Sequence, residues 1–276
     1  MNNPKVVGIC CTYGRFKCVE RVVNMFLNQD YQGDKELWIF NTDTESPYID
    51  TDCRLLPRGI SIINNSIDMV TKQPYTNVGA IRRDALHFIT DEFCYVWHAD
   101  DDDIYLPHYI RQGVERMKET GLPFFKPMES FFYCGDNLRL VKNTMEASVL
   151  CDINKLREYG YALNTALEGL AWYTKARDNK ELSESDSYCL PSYCFNWNDG
   201  AEMNAPHKQS GSPDNPNNFN NHKSASKDAV NGRTIAIYDE NKMREIYKPY
   251  FDFIRNNESD FPQELIEKYF NQLIKK

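Results

Sequence analysis

An α/β protein with a mainly parallel, partly mixed sheet, helices on its faces and a helical C-terminal extension is what this sequence predicts, on three observations. Apolar, β-rich runs at Lys5 to Cys11 and Glu36 to Phe40 flank an amphipathic stripe, which is a βαβ unit with a right-handed crossover. Polar loops close successive runs at the same end, where ligands bind in open parallel sheets. Four consecutive carboxylates, Asp100 to Asp103, stand just behind a third apolar run, Phe93 to Trp97.

The elements follow in order. The first strand, Lys5 to Cys11, ends in the turn Thr12-Tyr13-Gly14-Arg15, with the glycine such a turn favours. Val19, Val22, Val23, Phe26 and Leu27 then recur at helical spacing, and this helix ends near Asp30 to Gly33. Glu36 to Phe40 is the second strand, closed by the polar Asn41 to Pro47. Gly59 to Ile63 reads as a third, and Asn77 to Ile89 as a helix entered through a glycine. The buried strand Phe93 to Trp97 carries the acids. The loops Thr12 to Arg15, Asn41 to Asp43 and Asp100 to Asp103 should therefore share one rim.

After Pro107 a helix runs to about Glu119, with Ile110, Val114 and Met117 on one face, and stops at Gly121-Leu122-Pro123. Phe131 to Cys134 and Leu138 to Val141, joined by Gly135-Asp136-Asn137, read as a hairpin that makes the sheet mixed. Ala147 to Cys151 reads as a strand, Asp152 to Tyr159 as a helix closed by Gly160, and Ala162 to Lys175 as a helix containing Glu168 and Trp172. Cys189 to Trp197 is an aromatic-rich strand. Composition then shifts to the Asn-, Ser- and Lys-rich stretch 198–232, a long loop of the kind that serves as a lid or stays disordered. Thr234 to Tyr238 reads as an edge strand. Two helices follow, the second with Leu265, Ile266, Tyr269, Phe270, Leu273 and Ile274 on one face.

Composition narrows the function. The 276 residues suit one α/β domain with appendages, and 41% apolar with 26% charged residues is ordinary for a soluble globular chain. A net charge of -8 argues against general adhesion to nucleic acid or anionic membranes. Val6 to Cys11 is too short for a signal-peptide core or a membrane span, so a cytoplasmic location is expected. Nine cysteines with no Cys-x-x-Cys signal neither a disulfide framework nor a zinc site.

The acid run admits two readings. Charge runs are commonly solvated turns, but this one lies between two ordered elements, and four adjacent carboxylates repel unless solvated or neutralised. Hard oxygen ligands at a strand end suit Mg²⁺ or Mn²⁺, which complete their shell with water and substrate phosphate.

With these residues placed, the pattern resembles glycosyltransferase family 2, inverting nucleotide-sugar enzymes of the GT-A fold. Thr12-Tyr13-Gly14-Arg15 is similar to the family's opening Thr-Tyr-Asn-Arg, with Gly14 departing. Asn41 stands where the family commonly has an Asp that reads the base. Gly79 to Asp84 resembles the segment carrying the family arginine, here Arg82. Asp100 to Asp103 with Pro107 matches Asp-x-Asp-Asp and its trailing proline. Glu168 sits at the family's Glu-Asp element, with Gly169 replacing the Asp, and His207 resembles a tail histidine that precedes Ser-Gly.

The resemblance implies a GT-A domain over 1–211, with a nucleotide-binding half, 1–107, and an acceptor half, 108–211. The loop or lid 198–232 and a C-terminal part, 233–276, complete the chain. It implies a nucleotide-sugar donor, a UDP-sugar, held by Thr12, Tyr13, Arg15, Asn41, Arg82, Asp100 and Asp101. It also implies Mn²⁺ or Mg²⁺ on Asp102, Asp100 and His207, and Glu168 as general base with Asp152 in reserve. The acceptor is a glycan, a protein or a hydroxymethylated DNA base. A DNA acceptor would demand base flipping and a basic groove, for which Lys208, His222, Lys223 and Lys227 are the visible residues.

Each residue also has an ordinary reading. Arg82 or Arg83 also reads as a surface arginine, Thr12 as a turn former, His207 as a solvated imidazole and Glu168 as a helical surface acid. Trp97, Trp172 and Trp197 read as core. From another class altogether, the acid run would hold Ca²⁺ structurally in a non-catalytic binding module.

Overall fold

The structure, a computed structural model, describes residues 3–13, 15–43, 59–134, 137–143, 145–163, 168–185 and 191–196. Gly14, Trp197, His207, the stretch 198–232, the strand at Thr234 to Tyr238 and the C-terminal helices lie outside the described residues. In chain order the elements are β1 (Lys5–Thr12), α1 (Phe16–Leu27), β2 (Lys35–Asn41), β3 (Ile60–Asn64), α2 (Val78–Phe88) and β4 (Cys94–His98). Then come β5 (Ile104–Tyr105), α3 (Tyr109–Thr120), β6 (Phe124–Lys126), β7 (Glu129–Cys134), β8 (Asn137–Lys142) and β9 (Leu150–Asp152). The series closes with α4 (Ile153–Tyr159), α5 (Leu170–Asp178), β10 (Leu182–Glu184) and β11 (Tyr193–Asn196).

Seven strands form one sheet in the order β10-β6-β9-β4-β1-β2-β3. β1 runs parallel to both β2 and β4, and β2 is parallel to β3, which is the βαβ arrangement expected. Residues alternate along β1 between two cores. Val6 and Cys10 face a cluster with Val22, Phe26, Trp97 and Ile110 from the α1 and α3 side. Val7 and Ile9 face a second cluster with Ala85, Val96, Leu156 and Trp172 from the α2, α4 and α5 side. Burial on both faces explains why the run is continuously apolar rather than alternating. At Gly8 an added Cβ would come within 3.1 Å of Leu37 and Trp97, so the close packing around β1 needs a residue without one. Helix ends follow their local signals: the Asn77 side chain accepts from the Ala80 N–H at 2.8 Å, and Gly121 and Gly160 stand after α3 and α4 with positive φ.

Several boundaries differ from the sequence reading. The sheet is mixed because β9 inserts antiparallel between β4 and β6, whereas the hairpin β7-β8 belongs to a second, four-stranded sheet, β5-β11-β7-β8. The strand expected from Ala147 begins at Leu150, after a short 3-10 turn, Glu146–Ser148. Local hydrogen bonds win there: the Ser148 hydroxyl donates to the Met145 carbonyl at 2.6 Å and the Met145 N–H to Asn143 Oδ1 at 3.0 Å. Phe93, 84% exposed, precedes β4 rather than opening it. Of the helix expected from Ala162, α5 runs from Leu170, residues 164–167 lie outside the described residues, and the Glu168 carbonyl accepts from the Ala162 N–H at 2.9 Å. The aromatic strand is β11 from Tyr193 onward. Among the described residues, no helix is long and apolar enough to cross a membrane.

Candidate active site

The parallel register sets Thr12 beside Asn41 and Ile9 beside His98, so the ends of β1, β2 and β4 lie on one rim. The three polar loops named from the sequence are neighbours there. The acid run leaves β4 along this rim, and its four carboxylates divide into two kinds. Asp101 and Asp103 are buried, at 1% and 2% exposure. Asp100 and Asp102 keep side chains about a fifth exposed, at 21% each.

The buried acids have protein partners. Arg15 grips Asp101 through Nε, at 3.0 Å to Oδ2, and through Nη2 to Oδ1, a two-pronged pair. The Asp101 backbone carbonyl accepts from Arg21 Nη2 at 2.6 Å, and Thr12 hydrogen-bonds the Asp101 side chain. Burial pushes the Asp101 carboxyl up to about 7, against the pull of Arg15 and with the push of Asp102. Tyr193 donates its hydroxyl proton to Asp103 Oδ2. These contacts fasten the turn to α1 and to the second sheet.

Arg82 is the hub on the other side. It is 3% exposed, and its guanidinium pairs with Asp100 and, at 2.6 Å, with Glu168 Oε1. Desolvation opposes its charge, but Asp100 and Glu168 more than offset this and hold its pKa well above the ordinary value. Burial pushes Asp100 up to about 6 in spite of Arg82. Arg83 turns away to Asp68 and Asp84, at 2.7 and 2.8 Å. Glu168, read from sequence as a helical residue, is a buried loop acid just before α5.

His98 braces this hub from below. It is fully buried, with Nε2 2.7 Å from the Tyr161 hydroxyl and its ring stacked on Trp172 at 5.5 Å and 9°. Burial, then the nearby Arg82 charge, drives its pKa down to about 3, so the imidazole is neutral. It links β4 to the segment that presents Glu168. Gly79, on α2, sits under the same segment: an added Cβ would collide with the Ala162 carbonyl and lie 3.1 Å from Glu168 Cβ. Gly79→Ala is therefore expected to cost about 1–3 kcal/mol by overpacking and to displace Glu168. A denaturant midpoint equal to that of the wild type would refute this.

Asn41, expected to read the base, stands at the end of β2. It is fully buried, its amide donates to the Asp43 carbonyl at 3.0 Å and to Asn64 Oδ1 at 2.9 Å, and its Oδ1 accepts from the Asp43 N–H at 3.1 Å. These bonds shape the loop that follows β2. Tyr13, partly exposed, follows β1 directly. Asp152, the reserve base, caps α4 by accepting from Asn154 N–H at 2.9 Å and Lys155 N–H at 3.2 Å, at the opposite end of β9's partner strand from the acid run. That correction has a simple cause: an antiparallel strand ends where its parallel neighbours begin.

The site also uses residues that sequence reasoning passed over, namely Arg21, His98, Tyr193 and Glu146. A charged residue beside the apolar stripe of α1 was the one available signal for Arg21. For cation binding, the partly exposed pair Asp100 and Asp102 offers hard oxygens, consistent with Mg²⁺ or Mn²⁺. Among the described residues, no group of three or more His, Cys, Asp or Glu side chains forms a ready-made metal site. Further donor oxygens would have to come from outside these side chains.

No protein-family model matches the sequence, and no curated protein matches it. Solved structures do. TarS 1–349 of S. aureus in complex with UDP-GlcNAc is 15% identical, with a TM-score of 0.55 over 98% of this chain and 81% of that one. The UDP complex of the same protein gives 15% and 0.54 over 91% and 80%. A longer TarS structure matches at 14% and 0.52, with 95% of this chain covering 50% of that one. The chain has the GT-A-like fold of these glycosyltransferases, with a mainly parallel sheet between helices.

Proposed function

We propose that this protein transfers a sugar, with inversion, from a nucleotide-sugar donor of the UDP-sugar class to an acceptor hydroxyl, assisted by a divalent cation. The observation that carries the proposal is the division of the acid run: two carboxylates locked inward by Arg15 and Tyr193, two left at the surface of the rim. A solvated acidic turn has no need of such locking, whereas a site that presents two carboxylates at fixed positions does. TarS, which shares the fold, binds UDP and UDP-GlcNAc in its solved complexes.

In this reading Asp102 and Asp100 would hold Mg²⁺ or Mn²⁺, which supplies positive charge to a diphosphate leaving group. Thr12, Tyr13 and the loop shaped by Asn41 line the nucleotide side at the strand ends. Arg15 holds Asp101 and thereby the turn bearing Asp102, and Arg82 holds Asp100 while orienting Glu168. The acceptor's proton goes to the acidic wall around Arg82, in which Glu168 is the acid the sequence singled out.

Glu168→Gln is expected to retain UDP binding and to slow transfer about 100-fold or more, since the amide keeps the shape but not the negative charge that the acidic wall sets against Arg82. Transfer near the wild-type rate would remove Glu168 from the machinery. The function itself is tested by incubating the protein and Mn²⁺ with a panel of sugar nucleotides and following hydrolysis, which needs no known acceptor. A protein that neither binds nor hydrolyses any of them is not a glycosyltransferase.

A further inference from the structure

We infer that Glu146 takes the proton from the acceptor, its side chain occupying the space that a side chain at position 169 would fill. The inference rests on the transferase reading above and assigns a division of labour within its acidic wall.

The first argument is spatial. Gly169 follows Glu168 and caps α5, and an added Cβ there would lie 2.5 Å from Glu146 Cγ and 3.3 Å from Glu146 Cβ. The Glu146 chain thus fills the volume next to Glu168, although the two residues are far apart in sequence. The second argument is fixation. Glu146 opens a 3-10 turn held from within, with the Asn143 amide donating to Ser148 Oγ at 2.7 Å and the Val149 N–H to the Glu146 carbonyl at 3.1 Å. It is also held from the acid side. Tyr109 donates its hydroxyl to the Ser148 carbonyl at 3.0 Å, while Tyr105, which follows the acids, bonds the His98 carbonyl.

The third argument is charge. Three acids act on Arg82 or on one another here, and Arg82 forms ion pairs with Asp100 and Glu168. Glu146 has no ion pair among the described residues, and its carboxyl is held by its own backbone N–H. Burial raises its pKa, with a further push from Glu168, while its own backbone N–H and Arg82 pull the other way. That is the environment in which a carboxylate gains proton affinity and serves as a base near neutral pH. A fourth, independent feature lies beside it. The indole N–H of Trp172 is fully buried without a hydrogen-bond partner, and its nitrogen is 3.4 Å from the same Cβ position. A buried donor with no protein acceptor is costly, so this corner of the fold is polar and under-satisfied beside Glu146.

The step balances as a single displacement. The acceptor oxygen forms its bond to the anomeric carbon, and the bond from that carbon to the diphosphate oxygen breaks, leaving its electron pair on the nucleoside diphosphate. The acceptor's proton passes to the Glu146 carboxylate and later to solvent. Glu168 is then a positioning residue that holds Arg82 and, through it, Asp100. Water entering in place of the acceptor uses the same base, so donor hydrolysis reports on it.

The test compares Glu146→Gln, Glu146→Ala and the double variant E146A/G169D in the full chain. Each is assayed for hydrolysis of whichever UDP-sugar the wild type consumes with Mn²⁺, and titrated with UDP. Both single variants are expected to lose about 100- to 1,000-fold in hydrolysis, the range for removing a general base, while UDP affinity stays within about twofold. The double variant should recover about tenfold or more over Glu146→Ala, because an aspartate at 169 enters the vacated volume and restores a carboxyl. Hydrolysis by Glu146→Gln close to the wild-type rate would overturn the inference, as would a folded double variant no faster than Glu146→Ala. A wild-type protein that neither binds UDP nor hydrolyses a donor would instead overturn the transferase reading, and this inference with it.

Discussion

Asp102→Asn is expected to lower transfer about 100- to 1,000-fold, the scale seen when one preorganised charge at a developing oxyanion is removed. The fold should be almost untouched. Asp102 keeps a side chain about a fifth exposed, and its ion pair is a long 3.4 Å contact to Arg15 Nη1. Such a partly solvated contact contributes little, so the stability change should stay within about 0.5 kcal/mol. Activity and denaturant midpoint measured on the same preparation separate the two effects. Unchanged transfer in the variant, or full transfer by the wild type in excess chelator, would remove the cation from the proposal. Asp101→Asn makes the contrast, because that carboxylate is buried against Arg15 and its loss acts on stability first.

Arg82→Ala should give the largest loss of stability, about 3–5 kcal/mol, the cost of removing one partner from a buried ion pair. The guanidinium separates Asp100 from Glu168 in a pocket with the neutral His98, and without it those carboxylates face one another with no cation between them. The sequence alone made Arg82 a nucleotide ligand, for which the alanine variant would weaken binding directly. Because Arg82 is buried in its ion pairs, the alanine variant is also expected to release Asp100 and through it to weaken UDP binding. Arg82→Lys keeps the charge but reaches two carboxylates poorly and should fall between the two. Urea unfolding decides the matter, since an alanine variant as stable as the wild type would mean that the carboxylates are solvated or protonated.

Much of this was legible in the chain. The apolar stripe from Val19 to Leu27 and the runs at Lys5 and Glu36 carry periods that only a helix or a doubly covered strand satisfies, and α1, β1 and β2 follow them closely. The failures have local causes. Ala162 to Lys175 has helical composition, yet Glu168 is drawn inward by an arginine on α2, and it stands in a turn before α5 rather than within a helix. Asn41 ends β2, where the sequence expects a polar loop, and its amide bonds to Asn64 and to the Asp43 carbonyl shape that loop, which no local pattern announces.

The sequence by itself determined the order of strands and helices from β1 to β4, the end of the sheet at which the polar loops gather, and the place of the acid run there. These depend on periodicity and turn chemistry within short windows, which any stretch of chain carries with it. Only the tertiary structure decided which oxygens of that run are presented and which are locked, that Arg82 serves Asp100 and Glu168, and that Glu146 fills the space beside Gly169. Partner choice among charged side chains depends on distance and burial, and both are set by residues that the fold, rather than the chain, makes neighbours.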